Sequence, residues 1–139
     1  TFCAGSFSAG EHNDCVAMAK QFADRTHFVH LRSCYIFPNG NFTEASHLGG
    51  RGHLIELCRI FEKAEQEGKC NSGRRLPMRV DHGMTFTDEP GGVFDESNHG
   101  HNAGYTLLGR MFAMGQIQGV IATVDDELGI EYKQPGFYD

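Results

Sequence analysis

The hydrophobic residues of this chain fall into short β-rich runs separated by longer stretches at helical spacing. Thr1-Phe2-Cys3 reads as the end of a buried strand, with Ala4-Gly5-Ser6 as the turn leaving it. Asn13-Asp14 offer an N-cap, and Val16, Ala19, Phe22 and Ala23 follow with the periodicity of a helix. Thr26-His27-Phe28-Val29-His30-Leu31 is a second short strand. Residues 32–52 then read as a loop, with Pro38-Asn39-Gly40 as a turn and Gly49, Gly50 and Gly52 as breakers. The clearest element follows: Leu54, Leu57, Cys58, Phe61 and Ala64 share one helical face, charged residues crowd the other, and Gly68 stops the helix. Residues 76–80 form a third strand, with Pro77 tolerable near its beginning.

Residues 81–103 are a long loop rich in Gly, Asn, Asp and His, a length associated with lids and binding loops. A third helix is expected over 105–124, with Leu108, Met111, Phe112 and Gly115 on its core face and Gly109, Gly115 and Gly119 permitting close packing. The order strand, helix, strand, helix, strand, helix implies a parallel sheet with helical crossovers. Right-handed crossovers put the C-terminal ends of the strands on one edge, where α/β sheets and barrels build their sites. The expected unit is a single domain fragment over residues 1–139, with a core to about 124 and a polar tail over 125–139.

Composition narrows the function. The formal net charge of −6 argues against nucleic acid, since phosphate binding needs clustered Lys and Arg and the one basic pair, Arg74-Arg75, sits in a Gly/Ser/Asn turn. No run of ~18 apolar residues is present, so no membrane span is expected. The first residues have no basic region followed by an apolar one, so no signal peptide is expected. Five cysteines without a CxxC pair point away from a disulfide scaffold and towards a reducing cytoplasm. No Walker loop, dinucleotide glycine fingerprint or GxSxG elbow occurs.

Chemistry gathers at the strand ends. Cys3, His30 and Asp81 each close an apolar strand. Strands ~4.8 Å apart would let their side chains converge on one ion. Taken singly, Cys3 reads as a small buried hydrophobe, His30 as a satisfied core histidine and Asp81 as a cap. Together they form a thiolate, imidazole and carboxylate set suited to a divalent transition metal. By strand parity Arg32 shares the face of His30, where it could hold a substrate carboxylate, and Arg79 shares the face of Asp81, where a buried salt bridge below the site is the plainer reading. His82 is placed to act as general acid or base, and Tyr105 as a second proton donor or as a packing aromatic.

Five ordered blocks carry a family resemblance. They are Phe2-Cys3-Ala4-Gly5-Ser6-Phe7, Phe28-Val29-His30-Leu31-Arg32-Ser33, Phe42-Thr43-Glu44-Ala45-Ser46-His47-Leu48, Met78-Arg79-Val80-Asp81-His82-Gly83 and Gly104-Tyr105-Thr106-Leu107-Leu108-Gly109-Arg110. In this order they resemble mannonate dehydratase over nearly the whole chain to about Val124. The resemblance implies an α/β fold, a partial xylose-isomerase-like (β/α)8 TIM barrel comprising roughly its last three βα units. It implies conversion of the sugar acid D-mannonate to 2-dehydro-3-deoxy-D-gluconate by loss of water, in hexuronate breakdown. Mn²⁺ or Fe²⁺ would be held by a Cys, an Asp and two His, with Cys3, His30 and Asp81 as three ligands and the fourth expected upstream of Thr1. His82 and Tyr105 match the acid–base residues. Gly49-Gly50-Arg51-Gly52 departs from the acidic residue many members carry there, and so does the segment after Gly83. A barrel needs ~250 residues, so this chain alone is expected to be inactive. The competing readings are an isomerase or epimerase on the same barrel and a non-catalytic metal-binding fragment. A homo-oligomer is left open.

Overall fold

The structure, a computed structural model, describes residues 1–86 and 104–132. Most of the expected 81–103 loop, including His99 and His101, and the end of the tail lie outside the described residues.

The elements in order are β1 (Phe2–Cys3), α1 (Ala4–Ser8), α2 (Cys15–Phe22), β2 (Val29–Leu31), β3 (Cys34–Ile36), β4 (Phe42–Glu44), α3 (Leu54–Gln66), β5 (Met78–Val80) and α4 (Leu107–Leu128). β1, β2 and β5 form a parallel sheet in that order, with Cys3 opposite His30 and His30 opposite Arg79. Side chains alternate across a pleated strand. Phe2, Val29, Leu31 and Val80 therefore face one way, into the buried core shared with the helices. Cys3, His30 and Arg79 face the other.

α2 begins where the sequence places it, because Asp14 accepts a hydrogen bond from the Ala17 amide at 2.9 Å. The five expected residues of α3, Leu54, Leu57, Cys58, Phe61 and Ala64, are all buried. Gly68 lies beyond its last turn at φ +66°, a left-handed conformation, and this lets the Gly68 and Lys69 amides return to the Glu65 and Ala64 carbonyls.

Four expectations change. Ala4-Gly5-Ser6 is not a turn: it coils into α1. The 32–52 loop contains an antiparallel hairpin, β3 paired with β4 around Pro38-Asn39-Gly40, with Cys34 opposite Glu44. Its three-residue strands are too short to show a period. α4 runs through Leu128, past the expected boundary at 124.

The fourth change is the buried face of α4. Gly109, Ala113, Ile117 and Val124 are buried, while Leu108, Met111 and Phe112, expected in the core, are exposed. The helix is apolar on both sides, so spacing alone could not choose. The choice is made by backbone approach: a Cβ on Gly109 would overlap the Met84 carbonyl, and one on Gly83 would overlap the backbone of Gly109. Gly115 and Gly119 permit no close contact among the described residues, since a Cβ on either meets nothing within 4 Å.

α4 is also long and apolar enough to cross a membrane by length and composition, which the run-length reading of the sequence did not register. One face of it is docked on the rest of the chain, while much of its apolar surface is exposed. It packs on α3 and β5, its buried residues join the common core, and Arg59 on α3 grips Glu127 through two bonds of 2.8 and 3.0 Å.

Candidate metal centre

Three neighbouring parallel strands deliver three donors to one point. Cys3 and His30 are register partners on β1 and β2, and Asp81 is the first residue beyond β5, its amide 3.4 Å from the Leu31 carbonyl. Cys3 Sγ lies 3.9 Å, and His30 Nδ1 3.6 Å, from Asp81 Oδ2. The three ligand atoms all fall within 4.8 Å of one another. Two donors bound to one ion at ~2.3 Å can be at most ~4.6 Å apart, so both measured separations suit a shared ion.

The protonation states suit it as well. Burial lowers the pKa of His30, with the Asp81 charge opposing and Arg79 adding to the shift, which favours the neutral imidazole that binds metals. Burial alone would raise the pKa of Asp81. The hydrogen bond from Tyr105 and the nearby His82, His30 and Arg79 outweigh it, and the net shift is downward, towards the ionised carboxylate. The ring of Phe28 packs edge-on against that of His30, with centroids 4.9 Å apart. A thiol, a neutral imidazole and a carboxylate fit a divalent transition ion.

Asp81 is divided between two tasks. While Oδ2 faces Cys3 and His30, Oδ1 accepts hydrogen bonds from Arg79 at 2.8 Å and from the Tyr105 hydroxyl at 3.0 Å. The salt bridge expected of Arg79 is made, but from a partly exposed side chain and to the proposed ligand itself rather than buried below the site. Tyr105 in turn packs edge-on against the His82 ring at 4.5 Å.

His82 Nδ1 lies 3.1 Å from Glu44 Oε1, and Glu44 also receives Arg32 through a fork of 2.8 and 2.5 Å. Burial would lower the pKa of Arg32, but its hydrogen bonds and charge pairing with Glu44 raise it overall. Gly5 makes room for this arginine, since a Cβ there would overlap its side chain. Cys3, His30, Arg32, Arg79, Asp81, His82 and Tyr105, all singled out in the sequence, thus lie with Glu44 in one continuous run of contacts.

Glu44 is the member that sequence reasoning missed. It stands at a strand's C-terminal end as Cys3 does, inside a block already noted, and only the unseen hairpin hid that signal. Of the other histidines, His27 pairs with Asn71 and His47 is buried beneath α4, where Gln116 holds its amide.

A family profile described as D-mannonate dehydratase (UxuA) matches residues 1–130. The chain belongs to the D-mannonate dehydratase family. It is 38% identical over 130 residues to mannonate dehydratase 2 of Agrobacterium fabrum, covering 92% of this chain and 31% of that protein. It is 36% identical over 127 residues to the mannonate dehydratase of Saccharophagus degradans, covering 90% and 30%. The fold is also similar to the crystal structure of mannonate dehydratase from Streptococcus suis serotype 2, with a TM-score of 0.69 at 19% identity over 100% of this chain and 37% of that one. The chain thus spans about a third of the length of the mannonate dehydratases it matches.

Proposed function

We propose that this chain carries the metal-holding and proton-transferring part of a D-mannonate dehydratase, built on the last three βα units of a (β/α)8 barrel. The observation that carries the reading is the convergence of the Cys3, His30 and Asp81 donors, with Tyr105 bonded to the Asp81 carboxylate and His82 packed against Tyr105.

Cys3, His30 and Asp81 would hold Mn²⁺ or Fe²⁺. When bound, such an ion supplies a Lewis acid that stabilises negative charge developing next to the substrate carboxylate. The chain's own residues account for the rest. Arg32 has its Nε and one terminal nitrogen taken by Glu44, and its remaining terminal nitrogen would meet the carboxylate of the sugar acid. His82 and Tyr105 divide the proton work: one removes the proton from C2 while the other protonates the C3 hydroxyl. The C3–O bond breaks, water departs, and the enol left behind becomes the 2-keto group of 2-dehydro-3-deoxy-D-gluconate. A thiol ligand and five free cysteines suit a reducing cytoplasm, where this step would serve hexuronate breakdown.

Taken alone, the chain presents a three-stranded parallel sheet with its site face partly uncovered, and we expect no turnover of D-mannonate from it. The decisive test places His82→Asn in a polypeptide that contains this segment and converts D-mannonate to a 2-keto-3-deoxy acid. Turnover should vanish while metal content stays normal. Retained wild-type activity would remove His82 from the mechanism, and an isomerised sugar acid as product would replace the dehydratase reading by an isomerase one.

A further inference from the structure

At the opposite end of the sheet from the metal centre, α3 and α4 gather more carboxylates than cations. Glu62 and Glu65 stand near the C-terminal end of α3, and Asp125 stands in the last turn of α4, which holds no basic residue. With Glu131 they line a cleft of about 350 Å³ in which Arg75 is the one basic side chain among the described residues. A second cleft of about 290 Å³ shares Glu62, Glu65, Arg75 and Tyr132 with it and extends to Leu76 and Pro77, ahead of β5. The negative ends of two helix dipoles add to the charge.

Acidic side chains by themselves make a solvated patch, but Asp125 is not solvated. It is 6% exposed, and its Oδ1 is buried with no hydrogen-bond partner. Glu65 differs, since its Oε2 accepts from the Leu76 amide. Arg75 acts on Glu62 and Asp125 through its charge, yet no ion pair joins it to either among the described residues. A buried carboxylate left without donors is costly, and a cation that brings donors removes the cost.

The form of the cleft selects the kind of cation. A bare metal ion needs several donors around one point, and among the described residues only Cys3, His30 and Asp81 are grouped that way. The volume instead falls within the ~300–1,000 Å³ of small-molecule sites. Ile121, Ile130 and the ring of Tyr132 wall it with apolar surface, which suits an alkyl stem. An aromatic face also attracts a cation, and N–H donors on a guanidinium or ammonium pair well with carboxylates.

We propose that this cleft binds a small alkylguanidinium or alkylammonium molecule, whose N–H groups serve Asp125 and Glu62. The site is separate from the metal centre and does not depend on the dehydratase reading.

Isothermal titration of the chain with agmatine, a guanidinium and an ammonium on one alkyl stem, is the test. Agmatine should bind in the millimolar range or below, and butylurea, of similar shape without charge, should not. Burial and then the Asp125 and Glu65 charges, with Arg75 opposing, push the pKa of Glu62 up to about 7. Its ionisation should therefore strengthen agmatine binding by up to ~10-fold between about pH 6 and about pH 8. Asp125→Asn should weaken binding at least ~10-fold. That change removes an unpaired buried charge, so the fold should survive, as amide dispersion in the NMR spectrum will show. Should it not fold, Glu62→Gln takes its place with the same expected loss. Failure of the wild-type chain to bind agmatine overturns the proposal. So does equal binding of butylurea, or wild-type affinity in whichever variant folds.

Discussion

The Cys3 thiol and the Asp81 carboxylate, 78 residues apart in sequence, lie 3.9 Å from each other across the sheet. One strand, β2, separates their own strands, and it contributes His30 to the gap. Parallel pairing produces this, because a crossover returns each strand to the same edge before its last residue is spent. The three side chains are thereby brought together by the pairing of their strands.

Metal binding should therefore be a property of this chain even without turnover. Titration with Co²⁺ should give a thiolate-to-cobalt charge-transfer band that Cys3→Ser abolishes. Asp81→Asn and His30→Ala should each weaken binding at least ~10-fold by removing one donor. Equal Co²⁺ affinity in all three variants would disprove a shared site.

Gly109→Ala tests the packing of α4. Helix propensity favours Ala by ~1 kcal/mol, but the new methyl would overlap the Met84 carbonyl. The steric effect should win, with a net loss of about 1–3 kcal/mol in urea denaturation. A more stable variant would mean that α4 and the Gly83–Met84 segment do not meet as closely as described.

Asp14→Ala removes the side chain that caps α2. The Ala17 amide loses its acceptor, and stability should fall by about 1 kcal/mol. Asp14→Ser should recover most of this, read as the shift in thermal midpoint.

Stability should fall as pH rises towards neutrality because of Glu62. Burial, followed by the neighbouring Asp125 and Glu65 charges, pushes its pKa up from 4.5 to about 7, with Arg75 opposing. A carboxyl that holds its proton more tightly folded than unfolded contributes fully below about pH 4.5, and that contribution disappears as pH rises through about 7. Glu62→Gln should flatten this slope, so the variant gains on the wild type between about pH 5 and 8. Parallel urea midpoints for the two proteins across that range would count against the buried charge.

Much of the site was legible in the primary structure because its signals are local. A residue at or beside the close of an apolar run of β-rich sequence stands near a strand end wherever the strand goes, and Cys3, His30 and Asp81 all carry that mark. The face of α3 was readable for the same reason: Leu54, Leu57, Cys58, Phe61 and Ala64 are apolar on one side and their opposite neighbours are charged. Glu44 was not readable, since its role depends on the hairpin of β3 and β4 folding back to Arg32 and on His82 arriving from beyond β5.

By itself, then, the order of amino acids determined the parallel βα alternation, the α3 core face and the three donors, because periodicity and strand ends are properties of a chain's own covalent spacing. Tertiary structure alone decided which side of α4 is buried, that Arg79 and Tyr105 bind the same Asp81 oxygen, and that Glu44 joins Arg32 to His82. Each of those depends on surfaces distant in sequence coming within van der Waals or hydrogen-bond distance, and an element apolar on both sides, or a carboxylate on a three-residue strand, carries no local mark of which neighbour it will meet.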